Sequence, residues 1–105
     1  MKSYEVLFRP QAREDLISLY RYIARASSPR IAANYISRIE KACLKLASLP
    51  QRGTAVPSRV AGLRTMGFER RATILFRVGS EKVEIFRVYY GGQDLGPQLK
   101  RLLGI

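Results

Sequence analysis

Four arginines lie within β-forming stretches of the second half of the chain: Arg64, Arg71, Arg77 and Arg87. A guanidinium keeps its charge at any physiological pH, and its planar fork matches a carboxylate or a phosphate. Tyr89, Tyr90 and Asp94 follow, then the cations Lys100 and Arg101. Such a set suits anion binding. It is also the least that RNA cleavage through the ribose 2′-OH could use, with cations on the phosphorane and a tyrosine moving a proton. Other chemistries lack their residues. There are 0 histidines, so the side chain best suited to proton transfer near neutrality is missing. The acids are scattered along the chain with no metal-ligand spacing. Glu14 and Asp15, adjacent on a helical pattern, point to different faces and cannot share a substrate. No serine sits in a nucleophile elbow. No Walker-type loop is present, and "YYGGQ" is a weak phosphate-loop match. No cofactor and no metal are expected.

Charge sets the class of partner. Nineteen Lys+Arg against 8 Asp+Glu give +11, and 14 of those 19 cations are arginine. Between Arg52 and Arg77 there are 6 arginines and 1 acid, Glu69. A surface of this kind predicts a polyanionic partner, either nucleic acid or an acidic protein segment. The 105 residues are expected to form one domain, 1–105, with a single two-layer core. No apolar run reaches the ~20 residues of a membrane span. "MKSYEVLFRP" has no apolar signal region, and Cys43 has no second cysteine to pair with, which together suit a reducing cytoplasm.

The elements that would carry these residues follow from periodicity. Tyr4, Val6 and Phe8 alternate with polar neighbours as a first strand. Pro10 then opens a helix whose stripe is Ala12, Leu16, Leu19, Tyr20 and Ile23. Ser28 and Pro29 start a second helix with the stripe Ala32, Tyr35, Ile36, Ile39, Cys43 and Leu46, ended by Pro50 and Gly53. Cys43 on that stripe reads as a small core residue. Two helices joined by so few residues form an antiparallel hairpin. Strands are expected over Val60–Met66, Arg71–Val78 and Val83–Tyr90, with a turn at Gly79-Ser80. The fold class is α+β in the order β-α-α-β-β-β, an antiparallel sheet with the helical hairpin on one face. The last strand, apolar on both faces, belongs at the centre. The expected core joins the two helical stripes to Ile74, Phe76, Ile85 and Val88.

That last strand stops in "YYGGQDL". Gly91 and Gly92 permit a sharp exit through positive φ. Tyr89 and Tyr90 alternate, so one is expected in the core and one on the open side. Asp94 is placed to pair with an arginine such as Arg64 or Arg87, or to cap the following "LGPQLKRLL" turn.

The stretches "FRPQAREDLISLYRYIA", "AANYISRIEKACLKLASLPQRG", "GLRTM", "RATILFRV" and "VEIFRVYYGGQDL", in this order, resemble toxins of the RelE/ParE superfamily, and its ParE branch most closely. The resemblance runs from Val6 to about Leu95. It implies a bacterial type II toxin encoded beside, and neutralised by, a small antitoxin of ParD type with an acidic segment. For the ParE branch the implied action is inhibition of DNA gyrase without catalysis of its own. The alternative is ribosome-dependent mRNA cleavage, as in the RelE branch. Mapped onto this chain, the RelE lysine strand falls around Leu63 and Arg64, where there is no lysine. Its next arginine falls near Arg71 or Thr73, its later arginine near Gln93, and no tyrosine follows Tyr90. The residues expected at an antitoxin or target surface are Arg64, Arg71, Arg77, Arg87, Tyr90, Asp94, Lys100 and Arg101. Direct nucleic-acid contact stays open.

Overall fold

The computed structural model describes residues 3–91. Strand β1 (Glu5–Phe8) leads directly into helix α1 (Pro10–Ala26), then α2 (Pro29–Leu44) and a 3₁₀ turn over Lys45–Ala47. Strands β2 (Thr54–Ala55), β3 (Leu63–Phe68), β4 (Ala72–Val78) and β5 (Lys82–Tyr90) complete the described chain. Proline opens both helices, where a missing N–H costs nothing. Ser28 caps α2, its Oγ accepting the Ile31 N–H at 3.2 Å.

The sheet order is β1-β5-β4-β3-β2. The β2 to β5 pairings are antiparallel, as expected, and β5 is central. Pairing of β1 with β5 is parallel, so the sheet is mixed rather than wholly antiparallel. The reason is the route of the chain. After β1 the helical hairpin carries it across to the far edge, and the meander back reverses three times before β5 lies beside β1. Strand limits also differ from expectation, and β4 starts at Ala72, leaving Arg71 in the turn before it. The third strand starts at Leu63 rather than Val60, because residues 58–62 turn, with the Ser58 Oγ accepting the Val60 N–H at 2.9 Å. The two-residue β2 lies in a stretch expected to be loop.

The helical hairpin covers one face of the sheet. Ala12, Leu19 and Ile23 of α1 and Ala32, Ile39 and Cys43 of α2 are buried with Leu46, Ile74, Phe76, Val83, Ile85 and Val88. Leu16, Tyr35 and Ile36 pack against the same cluster, so the expected core is the observed one except for Tyr20, which stands exposed on α1. The opposite face carries a smaller apolar cluster of Leu63, Leu75 and Tyr89, flanked by Val56, Val60 and Phe86. A bulge makes this arrangement. Leu75 faces Arg87 while Phe76 faces Ile85, so Phe86 is the extra residue. Its effect is to shift the alternation, returning Val88 to the helix side. Tyr90, paired with Ala72, also lies on the helix side, and Tyr89 is buried on the other face.

Candidate functional site

Past Phe8 the outer edge of β5 loses its strand partner, and α1 supplies a side chain in its place. The Asp15 carboxylate accepts from Arg87 Nε at 2.7 Å, Arg87 Nη2 at 3.0 Å and the Val88 backbone N–H at 2.9 Å. The hydrogen bonds it donates to Asp15 hold the Arg87 guanidinium above its ordinary pKa. That guanidinium also lies 5.0 Å from the centroid of the Tyr89 ring. Burial in turn raises the Tyr89 phenol above its ordinary value. Asp15, absent from the residues the sequence pointed to, therefore ties α1 to the central strand. Its signal was position. It sits three residues after Ala12 and four before Leu19, on the apolar stripe, where a carboxylate needs a partner.

Next to this clasp is a cleft of about 540 Å³, lined by Asp15, Ser18, Tyr22, Arg71, Arg87 and the end of β5 through Gly91. Gly91 leaves the strand with φ +90, the sharp exit expected of it. Tyrosines make one wall. Tyr22 lies 6.0 Å from Tyr90, Tyr90 lies 5.8 Å from Tyr35, and Tyr35 lies 5.8 Å from Phe68, centroid to centroid. The chain of rings runs from α1 across β5 to α2 and β3. Burial raises the Tyr35 phenol above its ordinary pKa, and its hydroxyl is buried without a hydrogen-bond partner among the described residues. Tyr35 lies deep in this wall; Tyr22 stands 60 % exposed at its rim.

The strand arginines divide by what holds them. Arg64 turns toward the loop before β2, donating to the carbonyls of Gln51 at 3.0 Å, Arg52 at 2.9 Å and Gly53 at 3.1 Å. Arg77 donates to the Ala61 carbonyl at 3.1 Å and lies 3.6 Å from Glu84. Glu84 also accepts from Arg9 at 3.1 Å. Arg87 is held by Asp15. Arg71 is exposed beside the cleft and has no hydrogen bond or ion pair from its side chain among the described residues. Asp94, Lys100 and Arg101 lie outside the described residues. Cys43 is fully buried, and burial pushes its thiol up to about 12, so it is a core residue. Among the described residues no group of three His, Cys, Asp or Glu could hold a metal ion, and no helix is long and apolar enough to cross a membrane.

A helical hairpin on one face of a mixed five-stranded sheet, with a cleft at the end of its central strand, defines the small toxins of RelE/ParE-like fold. Residues 6–95 match the model of the ParE toxin of the type II toxin–antitoxin system parDE, and the chain belongs to that family. In overall shape it is similar to a chain of the chromosomal ParDE toxin–antitoxin system from P. aeruginosa. That match has a TM-score of 0.73 and 24% identity, covering 85% of this chain and 97% of the other. It is also similar to a chain of the toxin–antitoxin complex RelBE2 from Mycobacterium tuberculosis. There the TM-score is 0.62 and the identity 29%, over 89% of this chain and 97% of the other. No curated protein matches the sequence.

Proposed function

We propose that this toxin acts by inhibiting DNA gyrase and is neutralised by a ParD-like antitoxin with an acidic segment. The family match supports a ParE-type action over RelE-type cleavage, and the observation that carries the choice is how the strand arginines are used. Arg64, Arg77 and Arg87 are engaged by carbonyls or carboxylates of the chain itself. A ribonuclease would instead aim such cations at the scissile phosphate. Arg71 stays available at the cleft, and with Tyr22 and Tyr90 it forms a surface suited to an anchor residue of a protein partner.

The antitoxin reading follows from the same charge distribution. An acidic segment that folds on contact would meet a strongly basic protein with an exposed arginine beside an aromatic wall. Asp94, Lys100 and Arg101 belong to this proposed surface through the family resemblance.

The decisive experiment runs two assays on one preparation. Purified gyrase should lose supercoiling activity when the toxin is added, and regain it when the antitoxin is supplied. Ribosomes programmed with mRNA should show no site-specific cleavage. Normal supercoiling together with mRNA cuts in the ribosomal A site would overturn the proposal in favour of the RelE-type activity.

A further inference from the structure

A second cleft, of about 620 Å³, lies beyond the Phe68 end of the aromatic wall, between the C-terminal half of α2 and β3. Arg38, Lys41 and Lys45 line it from the helix, at the i, i+3 and i+7 positions that share one face. Arg52 lines it from the loop before β2. The one acid of its lining, Glu69, is occupied by Arg38 through bonds of 2.8 and 3.0 Å. Lys41, Lys45 and Arg52 are exposed, and their side chains have no ion-pair partner among the described residues. Three uncompensated cations therefore line one groove.

A lysine in the last turn of a helix has a plain structural use, since it faces the negative end of the dipole. That use covers Lys41 but not Arg52, which comes from a separate loop built to hold it in place. Arg64 grips three successive carbonyls of that loop, and Gly53 takes φ +74 where a Cβ would overlap the Thr65 carbonyl. On the other wall the Arg38 guanidinium is fixed over the Tyr35 ring at 5.2 Å as well as by Glu69. The groove is preorganised, and its charge was not neutralised when its walls were fixed.

We propose that this groove seats the sugar–phosphate backbone of duplex DNA. The gyrase reading enters only as the source of that duplex; the charge argument stands without it. Its chemistry favours this occupant over others. Lysines act as point charges on phosphates, a contact that positions a duplex without reading its sequence. A single strand would want exposed aromatic platforms, and here Phe68 is packed into the core while Arg38 covers Tyr35. An acidic peptide would want apolar anchor pockets, and the apolar floor residues Met66 and Phe68 are already packed against the core cluster.

The test measures binding of the whole protein to a short fluorescently labelled DNA duplex across a salt series, with no gyrase present. Each phosphate contact contributes about 0.9 to the slope of log affinity against log salt. K41Q/K45Q/R52Q should therefore lower that slope by roughly 2 to 3 and weaken binding at low salt by about tenfold or more. R21Q/R25Q/R30Q removes the same number of charges from exposed positions outside the groove and should keep most of the slope. If the first variant melts early, Lys45→Glu alone carries the same comparison. Equal losses in the groove and control variants would show that only net charge binds the duplex, and would overturn the proposal. So would failure of the unaltered toxin to bind, or tighter binding of single-stranded RNA or polyglutamate through the same three residues. Because the assay lacks gyrase, the toxin can pass it and fail supercoiling inhibition, or the reverse, so the two readings fall separately.

Discussion

Asp15 is the residue on which most depends for its size. It satisfies a free strand N–H and a half-buried guanidinium at once, with its own side chain only 11 % exposed. Removing it leaves three N–H donors on two groups without their acceptor, and charge-assisted bonds of this kind are each worth about 1.5 kcal/mol or more. Asp15→Ala should therefore cost roughly 2–3 kcal/mol, read as a lowered Tm in thermal unfolding. Arg87→Lys should recover only part of the pair, because a point charge cannot serve both carboxylate oxygens in plane. A pH test belongs to Glu69. The hydrogen bonds from Arg38 hold its carboxyl below the usual range. A carboxyl with a depressed folded pKa stabilises the protein above its unfolded pKa, and that contribution is lost as pH falls through the folded value. The Tm difference between the toxin and Glu69→Gln should thus be present at pH 6 and vanish on acidification through the carboxylate range. Cys43 has the opposite sign. With its folded thiol near 12 against 9.0 when exposed, stability should fall as pH rises above 9, and a thiol reagent at pH 8 should label it only on unfolding.

At the scale of elements, the two helices were legible because period and punctuation agreed. Pro10, Ser28 and Pro29 marked the starts, and the stripes ran unbroken to Ile23 and Leu46. The core they form is the one expected, so Leu19→Ala and Ile39→Ala should each cost ~2–5 kcal/mol in denaturant unfolding. Ser28→Ala should cost only ~1 kcal/mol, the worth of one cap. What escaped the sequence was not local. The parallel placement of β1 depends on where a later strand returns, which no window of residues encodes. The bulge at Phe86 reverses the alternation of Arg87, Val88 and the tyrosines, so a strict period of two misassigns their faces. Three of the four strand arginines were read by charge, whereas their partners, a loop carbonyl or a helix carboxylate, are distant in sequence. Arg71 alone of the four has no side-chain hydrogen bond or ion pair among the described residues.

For the molecule as a whole, charge governs encounter. A net +11 should draw an acidic antitoxin in, so its association rate should fall steeply with added salt while dissociation changes little. Stopped-flow mixing across a salt series checks this, and a rate indifferent to ionic strength would remove the electrostatic account of the partner. Helices shield one sheet face, and on the other Leu63, Leu75 and Tyr89 are buried in a second, smaller apolar cluster flanked by Val56, Val60 and Phe86.

The parallel pairing of β1 with β5 has a consequence in time. Glu5 takes its place beside Lys82, so the first strand to leave the ribosome must wait for the last described one. A nascent chain released through Val78 can close its helical hairpin and its β3–β4 hairpin, both local, but β1 has no partner and the helix-side core lacks Val83, Ile85 and Val88. Asp15 likewise has nothing to grip until Arg87 and Val88 emerge. The clasp, the β5 side of the cleft and the Tyr90 link of the aromatic wall are thus completed together, when β5 is made. A chain that stops short of β5 therefore has neither the clasp nor the finished cleft.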